Sequence, residues 1–299
     1  MPQLLLKDYS SFIHLNERYI PKQLNQISQE ELVESITNTL LQEPMVPKEV
    51  EIPNDYIGKR NLVRALLNIR EPRLLNQQLL EEIDSLLQKE LKNKQIVEVE
   101  KLESVAQVFP ANSLTQSDKL ILWKGDITRL NADAIVNAAN KQMLGCFQPL
   151  HACIDNAIHS AAGPQLRNDC EIIMSLQGEL EETGKAKITR AYNLPSSYIL
   201  HTVGPIVPSG TALTKQQRNE LASCYISCLE LATQLEDIKS ISFCAISTGV
   251  FGFPKDEAAK IAIQTVNEWL TANPNQIEKV IFNVFSETDY KLYENLFNI

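Results

Sequence analysis

From Lys119 onward, short apolar runs alternate with stretches of helical spacing, and that alternation confines this part of the chain to a sheet with helices packed on it. The runs LILWKGD, DAIVNAA, AKITRAYNL, YILHTVG, SISFCAIS and KVIFNVF are expected as strands. Helices are expected near 154–162, 166–177, 215–235, 255–270 and 289–297. In such sheets a ligand gathers beyond the carboxyl ends of the strands, where loops present amides and side chains.

Everything before about residue 112 reads differently. Ser28 precedes QEELVESITNTLLQEP with an acidic first turn, 61–69 is apolar at helical spacing, and 74–94 is amphipathic. Pro44, Pro47, Pro53 and Pro72 punctuate these runs. No Cys, His pair or glycine loop occurs among them, so the expectation is a helical segment, 1–112, packed on a second unit, 113–299. Docking of a substrate protein is its alternative use.

Composition narrows the function classes. With 299 residues, 44% hydrophobic and 22% charged, the chain has the make-up of a globular protein. A net charge of -9 disfavours a broad nucleic-acid footprint, which needs a basic stripe. MPQLLLKDYS has too short an apolar run for a secretory signal, and no apolar stretch is long enough to span a membrane, so a cytoplasmic protein is expected; a monomer is a separate expectation. In that setting six cysteines point to metal binding or reduced thiols. Cys224 and Cys228 lie on an apolar stripe and are expected in the core, with Cys170 and Cys244.

The densest chemistry lies in GCFQPLHACIDN, where Cys146, His151 and Cys153 form a Cys-x4-His-x-Cys arrangement ahead of a helix. Two thiolates and an imidazole neutralise Zn2+ and leave the fourth tetrahedral position open, the ligand count of a catalytic site. A helix N-terminus there favours thiolate. A reduced Cys pair beside a capping His is the alternative. Asp155, two residues further, is placed to orient water or a ligand. His159 and His201 are expected to be structural, and Trp123 to lie in the core.

Four strand ends carry further signals. Asp126 in GDIT can accept from an amino group such as that of adenine, or cap a turn. Asn137 and Asn140 bracket NAAN, where Asn140 can hold a ribose hydroxyl or water, or shape a turn. The 247–253 loop, STGVFGF, can wrap a pyrophosphate or serve as a plain strand-to-helix turn. Phe285 in NVFS can stack on a base or fill the core.

Taken together, WKGDIT, DAIVNAAN, IDNAIHSAAG, HTVGP and ISTGVFGFP resemble the macrodomain family in both content and order. The resemblance implies a three-layer α/β/α domain with a mixed central sheet that binds ADP-ribose. It implies Asp126 and Ile127 at the adenine, Ser247, Thr248, Gly249, Val250 and Phe251 on the phosphates, Phe285 near the adenine, and Asn140 at the distal ribose. Where the family commonly has a run of glycines, this chain has GCFQPLHACIDN, and LVRALLNIREP and LLNQQLLEEIDSLLQKE resemble the helical extension of its zinc-dependent hydrolases. That subgroup implies removal of mono-ADP-ribose from acidic side chains of proteins, with Zn2+ on Cys146, His151 and Cys153, and with Asn140 and Asp155 as catalytic residues. It also implies a functional link to a sirtuin-like ADP-ribosyltransferase. A non-catalytic ADP-ribose reader and an O-acetyl-ADP-ribose deacetylase are the alternatives.

Overall fold

The computed structural model describes residues 4–298, so the first three residues of the expected 1–112 segment and the last of 113–299 lie outside the described residues. The chain starts with helices α1 (Leu6–Tyr9), α2 (Gln29–Leu40), α3 (Tyr56–Ile69) and α4 (Gln77–Asn93). Ser28 and Glu31 close a capping box at the head of α2: the Glu31 N–H donates to Ser28 Oγ (3.1 Å) and the Ser28 N–H to Glu31 Oε2 (2.8 Å). Leu32, Ile36, Val63, Leu66, Ile83 and Leu86 from α2, α3 and α4 meet in a cluster of their own. Burying each such side chain contributes roughly 1.5–3 kcal/mol.

Strand β1 (Val97–Glu98) and α5 (Val105–Val108) lead into β2 (Leu120–Lys124), β3 (Leu130–Asn131) and β4 (Ala134–Ala139). Then come α6 (Ile154–Ala162), α7 (Pro164–Gln177), β5 (Ala186–Arg190), β6 (Tyr198–Val203), α8 (Lys215–Ala232), β7 (Ser240–Phe243), α9 (Lys255–Ala272), β8 (Lys279–Val284) and α10 (Glu287–Phe297). Gly163 separates α6 from α7 with φ +102, a conformation closed to most L-residues, and Pro164 opens α7 at its first position.

The six expected strands form one sheet in the order β2-β8-β7-β4-β6-β5, parallel throughout except for the β5–β6 pair. Helices α6 and α7 cover β4 and β5 from one side, while α8, α9 and α10 pack together over the sheet, giving the expected three-layer α/β/α architecture with a mixed sheet. The one-turn helices at Leu6–Tyr9, Val99–Lys101, Val105–Val108 and Ile127–Arg129 and the two-residue β1–β3 ladder are additions that no periodicity could announce. Cys170, Cys224, Cys228 and Cys244 are buried, as expected. Trp123 is only half-buried, packing on Val99, Ile121 and Leu130 at the sheet margin rather than in the main core.

The helical segment is joined to the sheet by polar contacts. Asp84 of α4 accepts from Tyr19 Oη, from Gln165 Nε2 (2.8 Å) and from Asn193 Nδ2 (2.7 Å). Tyr9, Ile13, Leu15, Val105 and Phe109, all from the first 112 residues, are members of the sheet domain's own core.

On α7, burial pushes the Asp169 carboxyl up to about 6, against the hydrogen bond from Tyr192 and the charge of Arg190, which pull it down. In the unfolded chain it titrates near ~3.9. Between those values the native state holds a proton that the unfolded state releases, so stability falls as pH rises through that window. Relative to Asp169→Asn, the wild type is expected to lose on the order of 2–3 kcal/mol of unfolding free energy between about pH 4 and pH 7. Denaturant titrations at both pH values check this; a pH-independent difference would refute it.

Candidate functional site

Because β2, β8, β7 and β4 are parallel neighbours, their carboxyl ends stand in a row, and each end carries one of the sequence motifs. At one end of the row the Gly125 N–H donates to Val284 O (3.0 Å), which sets Asp126 beside Phe285. Asp126 Oδ1 accepts from the Thr128 N–H (3.0 Å) and hydroxyl (2.7 Å), so this oxygen caps the short turn Ile127–Arg129, in which Ile127 is buried. Asp126 Oδ2 accepts from no described residue. Phe285 is 81% exposed, which places its ring at the surface rather than in the core.

The 247–253 loop follows β7. Ser247 has φ +64, and its hydroxyl sits so close to Gly204 that a Cβ there would lie 1.9 Å from Ser247 Oγ, so the HTVGP glycine is needed for this approach. The Phe253 N–H donates to Ser247 O (3.0 Å) and the Gly252 N–H to Gly249 O (3.0 Å), closing the loop on itself. Among the described residues, the N–H groups of Gly249, Val250 and Phe251 find no acceptor. Val250 is 75% exposed, so the loop tip faces solvent. Three successive amides with no internal partner are free to donate to an anion.

At β4, Asn137 donates through Nδ2 to Asp155 Oδ1 (2.8 Å) and approaches His201 Nδ1 (3.2 Å). A carboxylate only accepts, so the amide nitrogen faces it, His201 Nδ1 is an acceptor, and His201 Nε2 carries the proton toward Thr189 Oγ1 (2.9 Å). Burial pulls His201 down to about 3, so the ring is neutral. This agrees with the structural part expected of it. Burial likewise raises Asp155 to about 6, against the Asn137 hydrogen bond and the Arg167 charge, which lower it. Asn140 closes the adjoining turn: Oδ1 accepts from the Gln142 (3.0 Å) and Met143 (3.1 Å) N–H groups, while Nδ2 donates to Gly145 O (3.0 Å). One hydrogen of its NH2 is left to donate outward.

Cys146, His151 and Cys153 converge, their donor atoms all lying within 4.8 Å of one another, with Cys146 Sγ 3.6 Å from His151 Nδ1. All three are half-buried. Cys153 caps α6, accepting from the Asn156 N–H (3.4 Å). That hydrogen bond does favour the thiolate, as expected at a helix N-terminus, but burial outweighs it and pushes the thiol up to about 11, with the Cys146 sulfur and Asp155 adding to the shift. Crowded sulfurs that repel as thiolates are what a divalent cation between them would reconcile, so the donor set fits Zn2+. A second group, His159, Cys170 and His201, also draws together, but it is wholly buried and both His201 nitrogens are engaged, which leaves it no comparable capacity.

His159 contributes more to the surroundings than its structural expectation implied: buried on α6, it lies with Nε2 3.5 Å from Asp155 Oδ1 and packs against Gly145. The residues missed altogether are Arg64 and Asn68 of α3 and Arg167 of α7, which contact the segment carrying the Cys and His ligands. Their available signal was two polar residues four apart inside the apolar run LVRALLNIREP.

An open sheet that collects an exposed aromatic, unpaired loop amides and a cluster of polar side chains along one carboxyl edge is an α/β domain of the class that gathers its ligands at that edge. The chain belongs to the macrodomain family. The family described as Macro domain matches residues 136–262. A protein-ADP-ribose hydrolase of Treponema medium is 48% identical over 247 residues, an alignment covering 83% of this chain and 90% of that one. It is longer than everything after residue 113, so it reaches into the helical segment. A Fusarium oxysporum f. sp. cubense protein named "Probable bifunctional ADP-ribose hydrolase/ADP-ribosyltransferase" is 42% identical over 250 residues, covering 80% of this chain and 41% of that one. Among solved structures, a mutant Oceanobacillus iheyensis macrodomain with ADPR aligns with a TM-score of 0.53 at 42% identity, covering 59% of this chain and 90% of that one.

Proposed function

We propose that this chain is a hydrolase that releases mono-ADP-ribose from acidic side chains of modified proteins, with Zn2+ held by Cys146, His151 and Cys153. The observation that carries the reading is the order along the sheet edge: Asp126 with Phe285, then the 247–253 amides, then Asn140 with Asp155 and the Cys2His set. That sequence of groups matches an adenine, a diphosphate and a distal ribose laid end to end. The protein-ADP-ribose hydrolase most of whose length the chain covers supports the reaction class.

In this reading Phe285 stacks on the adenine while Asp126 accepts from its amino group. The Gly249, Val250 and Phe251 amides take the diphosphate, with Ser247 and Thr248 shaping the turn and Ile127 packing beneath the adenine end. Water attacks C1 of the distal ribose, the C1–O bond to the target's carboxyl breaks, and that carboxylate leaves with the bonding pair. Bound at the Cys2His set, zinc would supply Lewis-acid polarisation, milder than at a three-histidine site because two thiolates donate charge. Asn137 fixes one oxygen of Asp155, leaving the other to orient the water, and Asn140 donates its remaining amide hydrogen to a ribose hydroxyl. The chain then divides into a helical segment, 1–112, and a macrodomain, 113–299. A link to an ADP-ribosyltransferase is supported by the Fusarium relative whose name joins both activities.

The test is incubation with aspartate- or glutamate-modified protein, with and without a strong chelator, measuring free ADP-ribose. Elemental analysis of the purified protein is expected to find about one zinc per chain, the stoichiometry of a single Cys2His set. Release that continues undiminished in chelator, or a protein that takes up no zinc, removes the metal from the reaction. Binding of ADP-ribose with no release would leave a reader.

A further inference from the structure

The segment 140–153 that carries the Cys and His ligands has no helix or strand of its own, and two of its non-glycine residues, Met143 (φ +63) and Leu150 (φ +56), hold left-handed backbone. Ordering such a segment costs about 1–2 kcal/mol of backbone entropy per residue. Something outside it must hold its shape. We infer that helix α3 of the helical segment is the scaffold of this loop and that Arg64 and Asn68 are positioning residues for the metal ligands.

The two side chains lie four apart, on one face of α3, and each grips a different part of the ligand run. Asn68 is buried; its Oδ1 accepts from the Leu150 N–H (3.0 Å), pinning the strained residue directly before His151, while its Nδ2 donates to Ser160 Oγ (3.1 Å) on α6. Arg64 donates through Nη2 (2.6 Å) and Nε (3.2 Å) to Asn156 Oδ1. Asn156 in turn donates through Nδ2 to Gln148 O (3.1 Å), between Cys146 and His151, and through its backbone N–H to Cys153 Sγ. Thus one α3 residue sets the approach to His151, and the other sets both the mid-loop carbonyl and the Cys153 cap.

The helix is itself anchored to the same place. The Nη1 group of Arg167 donates to Leu67 O (3.1 Å), Asn68 O (3.0 Å) and Arg70 O, carbonyls at the end of α3 that lack intrahelical partners. Its Nε donates to Leu144 O (2.7 Å), and its guanidinium lies 4.3 Å over the Phe147 ring. One cation therefore locks the end of α3 to the start of the loop.

The inference deepens the zinc-dependent reading and rests on it for its metal readout. The experiment measures zinc affinity by competition with a chromophoric chelator, cobalt absorption at the substituted site, ADP-ribose affinity by calorimetry, and hydrogen exchange at the Leu150 and His151 amides. Asn68→Ala and Arg64→Met are each expected to weaken zinc at least ~10-fold, the range for groups that orient ligands. ADP-ribose affinity should stay within about twofold, because Asp126 and the 247–253 amides lie on other strand ends. Asn68→Asp, which keeps the acceptor for Leu150, should restore most of the zinc affinity. Exchange at Leu150 should rise at least ~10-fold in Asn68→Ala with or without metal. Unchanged zinc affinity in both variants, or no rescue by aspartate, would overturn the inference. If the wild type binds no zinc, the metal reading fails, whereas unchanged Leu150 exchange in Asn68→Ala is the separate failure of the scaffold.

Discussion

Cys153→Ser is expected to lower release of ADP-ribose from modified protein by at least ~100-fold, about 2.7 kcal/mol of transition-state stabilisation, while leaving ADP-ribose affinity within about threefold. The separation follows from layout: the proposed adenine and diphosphate contacts lie on β2, β8 and β7, and the Cys2His set lies beyond β4. Interactions made only in the transition state affect turnover without affecting ground-state binding. Serine is the sharper replacement because Cys153 also caps α6, and losing a cap by alanine costs about 1 kcal/mol. Asn140→Ala and Asp155→Ala should share the direction, with a loss of similar or smaller size. Single-turnover kinetics, zinc content and circular dichroism check the result together. A Cys153→Ser protein that has lost its zinc yet turns over at the wild-type rate would show that the metal only shapes the loop.

Asp126→Asn should weaken ADP-ribose by roughly 1.5–3 kcal/mol, the range for hydrogen bonds that involve a charged partner. Asparagine can keep the Oδ1 contacts to Thr128, so the turn survives while the second oxygen, which has no partner among the described residues, becomes an amide that cannot accept. Asp126→Ala removes both, and its additional loss reports the cap. Calorimetry measures the two variants. If both bind as the wild type does, Asp126 is solely a turn cap and the adenine lies elsewhere.

The sheet was legible because its strands are short, mostly apolar runs separated by stretches of helical spacing, and the motifs that follow β2, β4 and β7 mark the carboxyl edge on which Asp126, Asn140 and the 247–253 loop sit. Cys146, His151 and Cys153 were legible as a group from their spacing, but their convergence to within 4.8 Å depends on how the folded loop is held, since five extended residues could span roughly 17 Å. Helix α3 was visible as a helix but not as a partner of that loop. Arg64 and Asn68 meet Asn156 and Leu150 across more than eighty residues of intervening chain, and no local pattern encodes such a meeting. His159 and Asp155 were visible as a pair one helical turn apart, yet the burial that makes one neutral and raises the other comes from β4, β6 and α7 packing around them. The surroundings of the Cys153 thiol were half legible for a related reason: the helix terminus that favours thiolate is local and readable, whereas the desolvation that opposes it is a property of the assembled domain.

Strand β5 is the outer strand of the sheet, and an outer strand offers its unused amides to any other extended chain. Here the Ile188 N–H donates to the hydroxyl of Tyr9, whose ring lies in the main core beside Ile13 and Leu15. Tyr9 thus occupies an edge amide that would otherwise be open to another strand. A protein cut back to residue 113 would keep the proposed adenine and diphosphate contacts, but it would lose both this cover on β5 and the grip of Arg64 and Asn68 on the segment that carries the Cys and His ligands.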